Sequence, residues 1–218
     1  MKKIFVDLEM NPIPSKAKIP RELCRQETIE VGAVKLDEHN VEIDSFCAYV
    51  RPQYSGKIYA NIVKLTGITW EMVENASSFD MVLQEFLSWC GEDYQVFAWS
   101  ESDRAQFRHE MNLKKIPVEG SLVYLMEHWI DFQKEYKSLF PIEKIMSLDK
   151  ALELVGIDFE GRAHDALNDA RMTANLYRYV NDDDQFAELQ RRVRELFTPS
   201  EFTLADFIDL SGLQLDGD

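Results

Sequence analysis

Short runs of hydrophobic residues, separated by polar ones, predict five strands. The first run is fully apolar and ends in Asp7-Leu8-Glu9. The polar residues 37–40 separate the next two runs, so that pair is predicted to be a hairpin. The strands are predicted at residues 4–6, 28–36, 41–50, 96–99 and 129–132.

Helical spacing of apolar residues follows the hairpin. Behind Ser78, which is placed to cap a helix, the apolar positions recur every three to four residues. These positions are Phe79, Val82, Leu83, Phe86, Leu87 and Cys90. Further helices are predicted from a Ser102 cap to Met111, from Ser147, over residues 165–180 and over part of residues 184–197, whereas residues 11–27 are predicted to be a loop. Strands that come first and then alternate with helices indicate an α/β fold with a mixed sheet.

Charge narrows the classes of function. The formal net charge is −15, so a broad basic face that clamps long duplexes is excluded. A nucleic-acid enzyme with local cations or bound metals is still allowed. The loop at 16–25 holds four basic residues that suit phosphates, or that form an ordinary solvated loop. They are Lys16, Lys18, Arg21 and Arg25.

Cysteine usage and hydropathy predict the compartment. The three cysteines have no metal-ligand spacing and are predicted to be free thiols in a reducing compartment. Asp7 and Glu9 interrupt the first apolar run too early for a signal peptide. No stretch approaches the roughly 20 apolar residues of a membrane span. We therefore expect a cytoplasmic protein without membrane contact.

Two acidic residues on the first strand suggest a metal site. Asp7 and Glu9 are two positions apart, so both side chains point to one face of the strand. Carboxylates facing a core need cations or donors, and hard divalent metals such as Mg²⁺ prefer oxygen ligands. The alternative is a frayed strand end with both carboxylates in solvent.

Two later clusters complete the candidate chemistry. Asp103 follows the fourth strand and the Ser102 cap, where it could instead interact only with the helix N-terminus. His164 and Asp169 lie where a loop meets a helix. Neither Asp169 nor Asn168 is placed to satisfy a backbone cap. The alternative is an exposed, polar start of a helix.

Taken in order, these clusters resemble the DEDDh (DnaQ-like) 3′–5′ exonuclease family. The matching stretches are Phe5-Val6-Asp7-Leu8-Glu9-Met10, Trp99-Ser100-Glu101-Ser102-Asp103 and His164-Asp165-Ala166-Leu167-Asn168-Asp169-Ala170-Arg171. The chain is most similar to the exoribonuclease branch that includes histone-mRNA exonucleases and the sporulation inhibitor KapD. The resemblance covers about residues 1–180.

The resemblance implies a fold, a mechanism and a cofactor. The fold would be an RNase H-like, mixed five-stranded sheet flanked by helices. Asp7, Glu9, Asp103 and Asp169 would hold two divalent cations, Mg²⁺ with Mn²⁺ as the alternative, and His164 would be the general base. Those five residues form the predicted catalytic set.

The resemblance also implies a substrate. It predicts hydrolysis from the 3′ end of single-stranded nucleic acid, with RNA favoured over DNA. The terminal nucleotide would contact Glu9, Met10, Leu65, Thr66 and His164, although Leu65 could equally be packed in the core. Two other classes stay open: a non-catalytic nucleic-acid or protein adaptor with this fold, and a nucleotide phosphohydrolase.

The C-terminal part of the chain differs in composition. Residues 181–218 hold ten acidic residues and three arginines, a net charge of −7. We predict an exonuclease domain at 1–180 and a partly helical acidic extension at 181–218. Apolar residues at helical spacing predict that 184–197 dock on the domain, and a protein partner for the acidic tail is the further expectation.

Overall fold

A computed structural model describes residues 1–139, 146–159 and 161–197 as an α/β fold around one sheet. The sheet has five strands in the order β3-β2-β1-β4-β5. β1 to β3 are antiparallel to their neighbours in the chain, whereas β4 pairs parallel with β1 and with β5. The strands are β1 Lys2–Pro12, β2 Gln26–Leu36, β3 Glu42–Tyr49, β4 Tyr94–Ala98 and β5 Trp129–Asp131. The predicted fold class, a mixed five-stranded sheet flanked by helices, is confirmed.

Ten helices are found in the described part of the chain, and they surround the sheet. They are α1 Lys18–Leu23, α2 Ala60–Thr66, α3 Trp70–Val73, α4 Phe79–Cys90, α5 Glu101–Leu113, α6 Ser121–Glu127, α7 Phe132–Ser138, α8 Leu148–Val155, α9 Ala166–Val180 and α10 Asp183–Phe197. No helix of the described residues has both the length and the apolar character that crossing a membrane requires.

The side chains of β1 alternate between the two faces of the sheet and pack into two hydrophobic cores. Ile4, Val6 and Leu8 pack in one cluster with residues of α4, α5 and α6. Phe5, which points to the opposite face, packs in a second cluster with residues of α8, α9 and α10. Because side chains alternate along a strand, Asp7 and Glu9 share the face of Phe5. The two carboxylates therefore face the layer that contains α9.

A glycine lets α9 approach the sheet. A Cβ added to Gly32 would lie 2.1 Å from the main-chain nitrogen of Leu167 and 2.2 Å from the carbonyl carbon of Ala166. Gly32 is the β2 partner of Asp7. The first turn of α9 is thus seated directly beside the acidic part of β1.

Two sequence predictions need correction. Residues 11–27 were predicted to be a loop, but they contain α1, which lies between Ile13 and Cys24, two members of a small apolar cluster with Leu113. Pro20 is compatible with α1 because a first-turn residue needs no amide hydrogen. The predicted Ser102 cap is also wrong. Ser100 occupies the N-cap of α5, and its side chain accepts a hydrogen bond from the Ser102 amide.

The start of the C-terminal extension packs on the domain. Leu189 of α10 is fully buried in the second core, and Phe186 packs against that core. This agrees with the predicted docking of 184–197 for the side chains that the structure describes. The side chains of 192–197 and all of 198–218 lie outside the described residues, and the domain boundary at 180 stays a prediction.

Candidate active site

Strand β1 carries two of the predicted site residues. It continues to Pro12, so Asp7 and Glu9 lie within the strand rather than at its end. The pairing register with β2 shifts between Glu9 and Met10, where the strand is irregular. Glu9 is buried and lies opposite Glu30 of β2, which is also buried. Two like charges therefore face each other across the ladder, which is unfavourable without compensation.

The N-terminus of α5 supplies Asp103. β4 runs parallel to β1 and leads through residues 99–100 into α5, so the helix begins beside the acidic part of β1. Asp103 lies in the first turn of the helix, is 4% exposed, and accepts a hydrogen bond from Ser102 Oγ at 3.3 Å. Asp103 therefore interacts with the N-terminus of α5, as the alternative interpretation held, and also lies buried at the acidic part of β1.

The loop before α9 supplies the histidine and the last carboxylate. Asp165 caps α9 by accepting from the Asn168 amide at 3.0 Å. His164 has a left-handed backbone with φ of 61°, and its amide donates to Asp169 Oδ2 at 3.3 Å. Asp169 thus accepts from an amide that precedes the helix, while the cap itself is made by Asp165. Ligand atoms of Glu9, His164 and Asp169 lie within 4.8 Å of one another.

A cleft of about 430 Å³ joins these residues. All five predicted catalytic residues and Met10 line it. Leu65 and Thr66 are not among the described residues of its wall. Leu65 is 45% exposed rather than packed in the core, and the Thr66 hydroxyl donates to Ile62 O within α2. Contact of these two residues with substrate stays a prediction.

The carboxylates of the cleft resist ionisation. Burial raises the pKa of Asp7 well above its usual range, and the charges of Asp103 and Asp169 add to this. Burial, followed by the charge of Asp169, raises the pKa of Glu9 to about 8. Burial likewise raises the pKa of Asp103 and that of Asp169 to about 7. The site holds more negative charge than its own protein donors stabilise.

The residues present fit divalent cations. Asp169 Oδ1 is buried, and no hydrogen-bond donor of the described residues reaches it. Within the same described ranges, no lysine or arginine forms an ion pair with any of the four carboxylates. Carboxylate oxygens are the ligands that Mg²⁺ and related hard cations prefer. An external cation would supply the missing compensation.

Several residues in the cleft or next to its carboxylates were missed by sequence reasoning. Glu30 accepts from the Ala166 amide at 3.2 Å and raises the pKa of Glu9 through its charge. Asp149, at the start of α8, lines the cleft and raises the pKa of Asp169. Gln133 lines the wall as well. The only signal for Asp149 was an acid in a predicted first turn, which is typical of any helix.

Comparison with known proteins identifies the family. The family described as exonuclease, RNase_T, matches residues 4–177. The chain belongs to the exonuclease family. The predicted assignment to the DEDDh exonucleases, and with it the prediction of an exonuclease domain, is confirmed.

Two relatives of the chain are named exoribonucleases. The 3′–5′ exoribonuclease 1 of Rattus norvegicus is 28% identical over 162 residues, which cover 69% of this chain and 45% of that protein. The ERI1 exoribonuclease 2 of Homo sapiens is 30% identical over 205 residues, covering 82% of this chain and 29% of that protein. The chain thus matches less than half the length of these curated relatives.

A solved structure shares the fold. It is described as the nuclease domain of 3′hExo, a DEDDh family member, bound to rAMP. The TM-score is 0.72 at 24% sequence identity, and the match covers 84% of this chain and 92% of that chain. The sheet and helices of the exonuclease domain are therefore those of a known nuclease fold.

Proposed function

We propose that the protein is a metal-dependent 3′–5′ exonuclease that hydrolyses phosphodiester bonds at the 3′ ends of single-stranded nucleic acid. One observation carries the proposal: four carboxylates and a histidine share one cleft, and no cation of the described chain compensates the carboxylates. A site built only for stability would pair these charges. Membership of the exonuclease family supplies the reaction class.

The four carboxylates would be the metal ligands. Asp7, Glu9, Asp103 and Asp169 would hold two divalent cations, proposed to be Mg²⁺ with Mn²⁺ as the alternative. When bound, the cations supply charge neutralisation at the scissile phosphate and its leaving oxygen. The buried, unsatisfied Asp169 Oδ1 supports a ligand role for that residue.

His164 is proposed to accept the proton of the attacking water. An ordinary imidazole is partly neutral near physiological pH, so it can act as a base. The left-handed backbone at His164 keeps the side chain out of α9 and at the cleft, within reach of Glu9 and Asp169. The hydrogen bond from its own amide to Asp169 fixes the base relative to one proposed ligand.

The substrate would extend from the carboxylates along the end of β1. Met10 lines the cleft, and Gln26 Nε2 lies 3.8 Å from its sulfur. Gln26 directly follows the basic segment at 16–25, which includes α1, and the lysines and arginines of this segment are exposed and are proposed to contact backbone phosphates. Glu9 and His164 would contact the terminal nucleotide, as would Leu65, which is exposed.

RNA is the proposed preference. The support is that the two relatives reported above are named exoribonucleases. A panel of labelled single-stranded RNA, single-stranded DNA and dinucleotides tests this choice. Preference for RNA is expected, whereas turnover confined to dinucleotides would favour the nucleotide phosphohydrolase.

The test of the mechanism is His164→Ala, assayed on a 3′-labelled oligonucleotide with Mg²⁺ or Mn²⁺. We expect turnover to fall by about 10²–10⁴-fold, because a general base contributes on that scale. Divalent-cation affinity, measured by calorimetry, should be nearly retained. Collapse of cation affinity would make His164 a ligand, and inactivity of the wild-type protein on every substrate of the panel would favour the adaptor.

A further inference from the structure

The side chain of Arg162 closes the C-terminal end of α2. Its Nη2 donates to Lys64 O at 3.2 Å and to Leu65 O at 3.3 Å. Both carbonyls lie in the last turn of a helix. Carbonyl groups there have no partner inside the helix, and this end of the helix carries the negative partial charge of the helix dipole. A guanidinium is well suited to this position because its donors are rigid and its charge is permanent.

The end of α2 leaves space for that guanidinium. Gly67 is the C-cap of α2 and has a left-handed backbone with φ of 79°. A Cβ added there would lie 1.8 Å from Arg162 Nη1 and 2.7 Å from Cζ. The guanidinium therefore occupies the volume that a side chain at residue 67 would fill.

The other side of the 161–164 loop is held by α9. Asn168 Nδ2 donates to Arg162 O at 3.5 Å, and the His164 amide donates to Asp169 Oδ2 at 3.3 Å. Gly161 has φ of 84°, and a Cβ there would lie 2.5 Å from Asn168 Nδ2. The loop that carries His164 is thus fastened to α9 at two points and to α2 by Arg162.

We infer that Arg162 is a positioning residue for the reaction. It joins the His164 loop to the Leu65–Thr66 end of α2, so the proposed base and the proposed nucleotide contact keep one relative geometry. The inference rests on the proposed function. The guanidinium of Arg162 is directed at main-chain carbonyls of α2.

A double-mutant cycle tests whether Arg162 acts through His164. Arg162→Ala should lower kcat by about 10- to 100-fold, since small misplacement of a reacting group has costs of that size. In the His164→Ala background, the same substitution should change kcat by less than about threefold, because the group that it positions is already gone. Equal effects in both backgrounds would overturn the inference.

Hydrogen exchange of the protein without added metal gives a readout apart from turnover. Arg162→Ala should speed exchange of the His164 amide and its loop neighbours, while the melting temperature stays close to wild type. Arg162→Lys should restore part of kcat, because an ammonium keeps the charge and can donate to these carbonyls but lacks the rigid, planar arrangement of the guanidinium donors. Arg191→Ala, which removes an arginine paired with Glu188 on α10, is the matched control and should change neither readout.

Gly67→Ala provides an independent variant that leaves Arg162 in place. Its methyl group should displace the guanidinium and reproduce the kcat loss of Arg162→Ala. Gly156→Ala is the control for backbone strain, because Gly156 is likewise a helix C-cap with a left-handed backbone, φ 74° and ψ 26°. Gly67→Ala with wild-type kcat and loop exchange would contradict the inference.

The outcomes separate the two proposals. Wild-type turnover in His164→Ala would remove the proposed base and leave Arg162 without a catalytic group to position. A large loss in His164→Ala together with additive effects in the cycle would keep the proposed function and reject only the role of Arg162.

Discussion

Within the described residues, two groups of buried or half-buried acidic side chains differ in how their charge is compensated. One is the paired cluster, which consists of Glu27 on β2 with Glu110 and Lys114 on α5. The other is the cleft cluster, which consists of Asp7, Glu9, Asp103 and Asp169. The first is compensated from within the chain, and the second is not.

The paired cluster has an internal cation and several main-chain donors, although burial still raises the pKa of Glu27 and Glu110 Oε1 is held by its ion pair with Lys114 alone. Lys114 Nζ lies 2.7 Å from Glu110 Oε1 and 3.6 Å from Glu27 Oε1. Glu110 Oε2 also accepts from the Thr28 amide at 2.8 Å, and Glu27 accepts from the amides of Gln53 and Tyr54 at 2.6 and 3.0 Å. Both glutamates have side chains that are 0% exposed, so every one of these donors matters.

The cleft cluster has hydrogen-bond donors but no paired lysine or arginine among the described residues. Ser102 Oγ donates to Asp103 and the His164 amide donates to Asp169, each at 3.3 Å, and main-chain hydrogen bonds from Leu8 and Asp103 also lower the pKa of Asp103. Burial and mutual repulsion raise the pKa of Asp7 and Glu9. The difference teaches that burial of acids alone does not mark an active site. The mark is burial without internal compensation, which leaves room for an external cation.

The largest expected effect comes from Asp7→Asn in the cleft cluster. Activity on a labelled oligonucleotide should be abolished, because the charge of a proposed ligand is lost. The melting temperature of the metal-free protein should hold or rise slightly, since repulsion from Asp103 and Asp169 is relieved. Wild-type turnover at matched purity would refute the site assignment.

The reciprocal change in the paired cluster is Lys114→Met, which keeps the aliphatic stem and removes the charge. It leaves two buried glutamates without a cation, and breaking a buried pair in this way costs about 3–5 kcal/mol. We expect a lower free energy of unfolding by denaturant titration, while kcat of the folded fraction is unchanged. A variant that is as stable as wild type but inactive would show that Lys114 is needed for activity, and would contradict the separation of the two clusters.

A smaller effect is expected from pH on the protein without added metal. The pKa of Glu9 is raised to about 8, and that of Asp103 and of Asp169 to about 7, above the values of an unfolded chain. The folded state therefore binds extra protons at neutral pH, and the stability that they contribute is lost as pH rises through these values. The melting temperature should fall between about pH 5.5 and about pH 8.5.

The control for this pH effect is Asp7→Asn, which carries the same charges elsewhere on the chain. Its melting temperature should fall less over that interval. If the melting temperatures of the two proteins changed identically with pH, the pH dependence would arise outside the cleft cluster.

Much of the cleft cluster was predictable from local sequence. The period of two placed Asp7 and Glu9 on one face, and the change from loop to helix separated His164 from Asp169. The cap of α5 was misassigned because Ser100 and Ser102 are equally good capping residues, yet Asp103 kept its position in the first turn.

The features of the site that could not be predicted depend on contacts between segments that are distant in sequence. Glu30 meets the Ala166 amide across 136 residues, and Arg162 meets Leu65 O across 97 residues. No local pattern reports such contacts. The paired cluster was missed for the same reason, because Glu27 and Lys114 lie on different elements and carry no spacing signal.

Calorimetric titration of Mn²⁺ tests the central claim, that the uncompensated carboxylates bind divalent cations. Because divalent cations displace protons from the carboxylates that bind them, wild-type protein at neutral pH should bind two ions per chain, and Asp7→Asn should lose most of the heat of binding. Lys114→Met, titrated while folded, should bind as wild type does. No binding by wild type, or equal binding by Asp7→Asn, would contradict the account.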